Sequence, residues 1–410
     1  MMAGHDILCF APGPWDDIWR NRHQIMTRLA QTNRVLYIEP WDQLRPLLRR
    51  LRSGKARLSE IRGPRLRQMD ANLWVYHPPQ WAPRAERFPI GRVTEAIYMG
   101  FLRRVLRRLS FRDPILWLFL PDMEVFAGQF REKLLIYHIV DEYSGYSGVS
   151  ETWRPVMQRL EQQLAHRADV VFVSSPTLLE RKHALNERVF LIANGVDYAS
   201  FAAAADGDLP RPADVVHLPR PLAGYVGAIN EKVDLNLLAH VARSLPTWSL
   251  VLVGPVTVGD EDSQKAAQEL RGMPNVFFLG RKEVADVPHY MAACDVCLLP
   301  YRVNEWTQNI DSLKLYEYLA CGKPVVCTAV PTAQRFSPVV RIAASKNEFA
   351  AEMAKAVRED SSALQAERQA IAAQNTWDQR VVQISTIIEG CLKQRQLSHV
   401  EARSAQKESA

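Results

Sequence analysis

Lys314 and Glu317 are the only charged residues in an otherwise apolar run of Leu313, Leu315, Tyr316, Tyr318, Leu319, Ala320 and Cys321. At helical spacing they share one face. A charge set in an apolar wall needs a partner. A plain reading pairs Lys314 with Glu317. A chemical reading makes the pair a polar notch, in which Glu317 accepts hydrogen bonds from paired sugar hydroxyls. The helix N-terminus would then face a phosphate. Asp311 or Ser312 is placed to cap the helix and leave its first N–H groups pointing into the preceding loop. Gly322 stands where a left-handed C′ residue belongs, Pro324 blocks continuation, and Val325–Cys327 reads as a buried strand.

A second group lies upstream. The run Gly224-Tyr-Val-Gly227-Ala-Ile-Asn-Glu-Lys232 follows a predicted strand. Gly227 would let backbone N–H groups approach an anion, and Lys232 would reach phosphates as a point charge. Arg302 and Lys314 are the further cations available to that anion. Gly280-Arg281-Lys282 closes another strand. Cys294 and Cys297 are spaced CxxC without a second such pair, which reads as buried thiols rather than a zinc or redox site. No Asp-x-Asp at a strand end suggests a metal site.

These groups must be carried by repeated strand–helix units. Short apolar runs recur at Ile7–Phe10, Val35–Ile38, Ile115–Leu120, Leu134–Val140, Val170–Val173 and Val189–Ile192. A second set is Leu222–Val226, Leu250–Val253, Val276–Leu279, Val296–Leu299, Val325–Cys327 and Val339–Ala343. Each is followed by turn residues and a helix-like segment, the signature of parallel sheets covered on both faces. The expected class is α/β, with two doubly wound domains facing across a cleft. A first domain is placed at 1–205, a linker at 206–221 and a second domain at 222–375. A helix at 376–396 closes the chain, and 397–410 read as a disordered tail. A chain of 410 residues is long enough for two cores. No apolar run approaches the roughly 18 residues of a membrane span. The start of the chain lacks a signal-peptide layout, which points to the cytoplasm. Six cysteines make no disulfide framework, and the net charge of +6 hints at an anionic partner.

In the first domain, Gly13 lies between two prolines in the loop after the first strand. Asp16, Arg20, Arg22 and His23 follow where a helix start would meet the cleft, though His23 also suits packing. Asp141 and Glu142 end the strand LLIYHIV, with Asp141 the preferred acceptor-side carboxylate. Residues 45–67 read as an arginine-rich, solvent-facing insertion. Residues 92–109 form a basic amphipathic helix: Ile97, Phe101, Val105 and Leu109 recur every four residues, with Arg103, Arg104, Arg107 and Arg108 on the other sides. It reads either as a core helix with wet arginines or as a dock for an anionic membrane leaflet. The absence of interleaved aromatics argues against nucleic acid.

The stretch 301–328 resembles the nucleotide-sugar motif of family-4 (group 1) glycosyltransferases of GT-B fold. Their pattern is a Glu, seven residues, a second Glu, then Gly-(Lys/Thr)-Pro-Val-Val. Glu317 falls on the second Glu, which binds the donor ribose. Asn309 replaces the first, which contacts the donor sugar. Lys232 matches the family lysine, whereas Ala228 replaces its arginine. Asn194-Gly-Val-Asp resembles the family's pre-linker motif, and WDxxW with the following RxRHQ resembles surface-polysaccharide members, teichuronic-acid types among them. The resemblance implies the GT-B fold, with the closing helix returning to the first domain. It implies sugar transfer, with retention, from a nucleotide diphosphate co-substrate to a hydroxyl, and no cofactor or metal. Implied catalytic residues are Lys232, Asp141 and Asn309. Donor and acceptor would be held by Glu317, Asp311, Ser312, Leu313, Lys314, Gly227, Gly13, Arg281, Arg302, Arg22 and His23. The acceptor class includes lipid-linked ones, consistent with a peripheral place on the inner face of the plasma membrane; oligomeric state stays open. A sugar-nucleotide epimerase and a non-catalytic nucleotide-sugar-binding scaffold are the alternatives. Glu317→Ala is expected to abolish the thermal shift produced by the best nucleotide sugar. An unchanged shift removes the ribose assignment.

Overall fold

The computed structural model describes residues 1–41, 63–84, 90–143, 151–205 and 211–408, with backbone alone at 90 and 398–408. Most of the insertion expected at 45–67, and residues 206–210 of the expected linker, lie outside the described residues.

Two sheets carry the chain. The first holds β1 (Asp6–Phe10), β2 (Arg34–Ile38), β3 (Arg65–Asp70), β4 (Leu73–His77), β5 (Ile115–Leu118), β6 (Leu134–Ile139), β7 (Val170–Val173) and β8 (Val189–Leu191) in the order β3-β4-β2-β1-β5-β6-β7-β8. The second holds β9 (Leu222–Val226), β10 (Ser249–Val253), β11 (Val276–Gly280), β12 (Val296–Leu299), β13 (Val325–Thr328) and β14 (Val340–Ala343) in the order β11-β10-β9-β12-β13-β14. Every pairing is parallel except β3 with β4. All twelve apolar runs singled out above are strands. The β3–β4 hairpin was not foreseen: β3 is mostly exposed and reads RLRQMD, with no apolar alternation to betray it. Residues 65–67 of the expected insertion are thus part of a paired strand.

Each sheet reverses direction once, between β1 and β5 and between β9 and β12. A doubly wound sheet opens a crevice at that switch point, beyond the carboxyl ends of its strands. The loops after β1, β9 and β12 therefore border crevices.

The lobes are joined twice. After β8 the chain crosses at Asn194–Val196, and it returns at Asn375–Trp377. The crossings pair, with Val196 N donating to Asn375 O at 3.0 Å and Trp377 N to Val196 O at 3.2 Å. A Cβ on Gly195 would lie 2.9 Å from the Thr376 carbonyl carbon and Trp377 N, so the approach requires glycine. The closing helix, Trp377–Glu408, then packs Trp377, Val381, Ile384, Ile388 and Cys391 into the first lobe's core beside Ile25, Met26 and Leu29. Its backbone stays helical to Glu408, past the tail expected from residue 397.

The side chain of Asp311 makes a third tie. Although buried, its Oδ2 accepts from Asn194 N of the other lobe at 2.6 Å and from Tyr316 Oη at 3.0 Å. Asn194 Nδ2 donates to the Asp311 carbonyl at 2.6 Å. Burial raises the Asp311 pKa, opposed first by the bond from Asn194 and then by Arg335. Asp311 is therefore an interlobe strut and not the expected helix cap. Ser312 occupies the cap position, but its side chain makes no capping bond. Its hydroxyl meets Tyr301 Oη at 3.3 Å. Asp311→Ala strands the Asn194 N–H and the Tyr316 hydroxyl. It should lower stability by about 2–4 kcal/mol, read from urea unfolding. A loss under roughly 0.5 kcal/mol would show that water replaces the strut.

Candidate active site

The glycine after β9 places the first cation. Gly227 adopts φ +144°, and its N–H donates to Val253 O at 2.7 Å. A Cβ there would fall 1.9 Å from Lys314 Cε and 2.5 Å from Nζ. The Lys314 stem occupies the space that glycine leaves open, and its ammonium lies 5.4 Å from the Tyr225 ring centroid. Gly254 repeats the device one strand over: at φ +141° its missing Cβ would strike Gly227 O at 2.1 Å. The two glycines bring the ends of β9 and β10 together around one lysine.

Lys232 is the second cation. Its loop is stitched to the end of β12 by Asp234 N to Pro300 O and Arg302 N to Lys232 O, each at 2.8 Å. Its ammonium lies 5.3 Å from the Tyr301 ring centroid, within cation–π range. Burial lowers its pKa, and Lys314 and Arg20 push the same way against Tyr301 and Asp141. Lys314 is brought down to about 8, first by burial and then by Arg20, with Glu317 opposing. Glu317 is pushed up to about 7 by burial, partly offset by Lys314.

Arg20 and Asp141 belong to the first lobe, so the fields at Lys232 and Lys314 reach across the cleft. Lys232, Lys314 and Arg20 gather against Glu317 and Asp141. Among the described residues the Glu317 carboxylate forms no hydrogen bond or ion pair, and it is only half-buried. The self-satisfied Lys314–Glu317 bridge is therefore not what the helix builds. Glu317 is left able to accept hydrogen bonds from a hydroxyl pair, and the three cations are left able to take an anion.

Other candidates sit elsewhere. Arg302 donates to Ser263 Oγ at 3.0 Å, so Lys314 is the second cation beside Lys232. Arg281 stands exposed on the turn after β11. Leu313 packs against the first lobe's core rather than lining the notch. Arg22 is buried and donates to Tyr37 Oη at 2.8 Å, which in turn donates to Gly13 O at 2.8 Å. Those three brace the first loop from behind. Arg20, two residues earlier, is the residue that faces the cations; local pattern alone does not tell the two arginines apart. His23 is fully buried between Trp19 and Tyr37, and its Nδ1 accepts from Arg20 N at 3.0 Å. Burial takes its pKa to about 4, so it is a neutral packing group. Asn309 is also fully buried, with its amide donating to Glu305 O at 2.7 Å, and it does not present its side chain to the cleft.

Asp141 and Glu142 separate cleanly. Lys182 holds Glu142 at 3.1 Å and Glu161 at 2.8 Å in a buried triad. That triad pins the end of β6, leaving Asp141 as the carboxylate whose field reaches Lys232. Among the described residues no group of three metal-ligating side chains is gathered, and no helix is long and apolar enough to cross a membrane.

Comparison with known proteins follows this geometry. Residues 220–359 match the family described as Glycosyl transferases group 1. A Bacillus subtilis (strain 168) protein named for teichuronic acid biosynthesis, the glycosyltransferase TuaH, is 32% identical over 266 residues. That match takes in 60% of this chain and 65% of TuaH. Sucrose-phosphate synthase from Thermosynechococcus elongatus superposes with a TM-score of 0.68 at 17% identity, over 97% of this chain and 100% of that one. Anabaena HepE in complex with UDP and glucose superposes at 0.65 and 17%, over 95% and 100%. The fold is GT-B, and residues 220–359 of the second lobe are similar to the group 1 glycosyltransferases.

Two outcomes test the site. Gly227→Ala forces a Cβ into the Lys314 stem at a φ that side chains rarely adopt, and should abolish nucleotide diphosphate binding in calorimetry while the fold survives; wild-type affinity would show that Lys314 can move aside. The second concerns protons. An anion beside Lys314 raises its pKa above about 8, and hydroxyls donated to Glu317 lower its pKa below about 7. Nucleotide binding should therefore release protons near about pH 6 and take them up near about pH 8.5. Calorimetry in buffers of different ionisation enthalpy reads the sign, and proton exchange that keeps one sign at both values contradicts the paired roles.

Proposed function

We propose that this protein transfers a sugar from a nucleoside diphosphate sugar to a hydroxyl of a growing cell-surface polysaccharide. The observation that carries the reading is the meeting of Lys232, Lys314 and Arg20 beside an unbonded Glu317 at the switch point of the second sheet. Breaking the anomeric bond creates an oxocarbenium-like centre and a diphosphate leaving group. Lys232 and Lys314, drawn out of water at the crevice, with the exposed Arg20 across from them, neutralise that charge with little reorganisation, so the reading needs no divalent metal. Glu317 takes the ribose hydroxyls. The acceptor hydroxyl enters from the first lobe, where Asp141 orients it. Its proton passes to the departing phosphate oxygen as the new glycosidic bond forms on the face just vacated, which retains the anomeric configuration. The kinship with TuaH supports an envelope polysaccharide as product.

The burial of Asn309 favours a second reading, a nucleotide-sugar-binding scaffold without turnover. Both readings are tested by a thermal-shift panel of uridine, guanosine, adenosine and deoxythymidine diphosphates and their sugars, followed by a turnover assay with the best donor. Transfer to an oligosaccharide acceptor is expected. Lys232→Ala should lower kcat roughly 100- to 1,000-fold while the donor still binds. Donor binding with no transfer to any acceptor supports the scaffold, and no response to any nucleotide defeats both.

A further inference from the structure

The crossover helix between β4 and β5, Ile90–Arg108, buries Tyr98, Met99 and Leu102 against the first sheet. Its exposed positions are Arg92, Val93, Ala96, Gly100, Arg103, Arg104, Arg107 and Arg108. Five of these eight are arginine and none is acidic. Among the described residues, Arg103, Arg104, Arg107 and Arg108 have no carboxylate partner; Arg107 Nε donates to the Arg103 carbonyl at 3.3 Å.

Apolar groups share that outer surface. Val93, Ile97 and Phe101 follow one another at four-residue spacing, a single stripe along the helix. Val93 is 56% exposed, while Ile97 and Phe101 are half-buried. Trp81, 51% exposed, packs edge-on against Phe101 with ring centroids 5.8 Å apart. The spacing left the Ile97, Phe101, Val105 and Leu109 stripe either core-packed or membrane-facing; the buried face is centred on Tyr98 and Leu102, and Ile97 and Phe101 are half-buried. What faces out is an apolar ridge with the arginines along one side of it and toward the helix end.

We infer that this face docks on an anionic lipid bilayer, with the helix lying in the interfacial plane. Charge complementarity selects the occupant: the exposed charged positions are all arginine, and the ridge beside them inserts among acyl chains, as interfacial helices do. A protein partner would have to bring matching carboxylates and cover the ridge. Nucleic acid would take the arginines and leave Val93 and Trp81 in water. The topology aims the docked protein. Strands β4 and β5 both run parallel to β1 and β2, so the helix between them runs back, with its Ile90 end at the carboxyl rim of the sheet. That rim also bears Arg20 and Asp141, so a helix lying flat on the bilayer keeps the acceptor side of the cleft beside the membrane, with the arginine-rich end of the helix at the opposite rim. The inference stands independently of donor chemistry.

Sedimentation of the full chain with vesicles tests it. Binding is expected to phosphatidylglycerol-containing vesicles and not to pure phosphatidylcholine, and to weaken as salt rises. Each arginine of R104Q, R107Q and R108Q removed should cost about five-fold in vesicle affinity. W81S with V93S should turn the remaining binding fully salt-reversible. Thermal melts and the nucleotide-induced shift of these variants should match wild type, which separates lost docking from lost folding or a lost donor site. The proposal is overturned by equal binding to both vesicle types, by absence of binding at low salt, by variants that bind like wild type, or by duplex oligonucleotide displacing the vesicles.

Discussion

Like charges drawn out of water repel, and the structure around the cleft keeps Lys232 and Lys314 together despite that, with the exposed Arg20 adding to the same field. Lys314 is held by the absence of a Cβ at Gly227. Lys232 is held by a loop bonded to the end of β12. Arg20 is delivered by a loop braced through Arg22, Tyr37 and Gly13. Aromatic faces from Tyr225 and Tyr301 replace part of the lost hydration. The resident carboxylates do not fully compensate: burial drives Glu317 toward its neutral form, and it lowers the lysines. An arriving diphosphate would relieve the repulsion and desolvation of the cations, while hydroxyls rather than the anion would answer Glu317. On the proposed reading, affinity for a diphosphate is a consequence of the scaffold rather than of any one contact.

Such an arrangement works only if the lobes keep their relation. The first-lobe arginine must stay opposite the second-lobe lysines for its field to reach them. The paired crossings at Val196 and Trp377, the docking of the closing helix and the Asp311–Asn194 strut provide that constraint. Asp311 lies three residues before Lys314. The strut that joins the lobes and the cation proposed to meet the ligand are thus set by the same short loop and helix, so a change in lobe angle acts directly on the site.

The strands were readable because parallel sheets bury both faces and leave unbroken apolar runs. Within the β3–β4 hairpin, β3 escaped because an exposed edge strand carries no such run, whereas β4, LWVYH, carries one and was passed over. Within the site, Glu317, Lys314, Lys232, Gly227 and Asp141 were identifiable from their types and their places after strands. Arg22 and Arg20 were not distinguishable: both precede or open the same helix, and which one points to the cleft depends on Tyr37, which lies on another strand. Asp311 looked like a cap because capping is local, whereas its partner Asn194 is far away in the chain.

From the amino-acid order alone came the two-lobed α/β architecture, the glycine–lysine loop, and an acid and a base on one buried helix face. These are consequences of periodicity and local chemistry, which short windows contain. The folded chain alone decided which cations converge, that Glu317 is left unbonded, that Asn309 and His23 are turned inward, and which side of the arginine-rich helix faces water. Those outcomes rest on contacts between distant segments and on how far each charge is removed from solvent, and neither quantity exists until the sheets have packed.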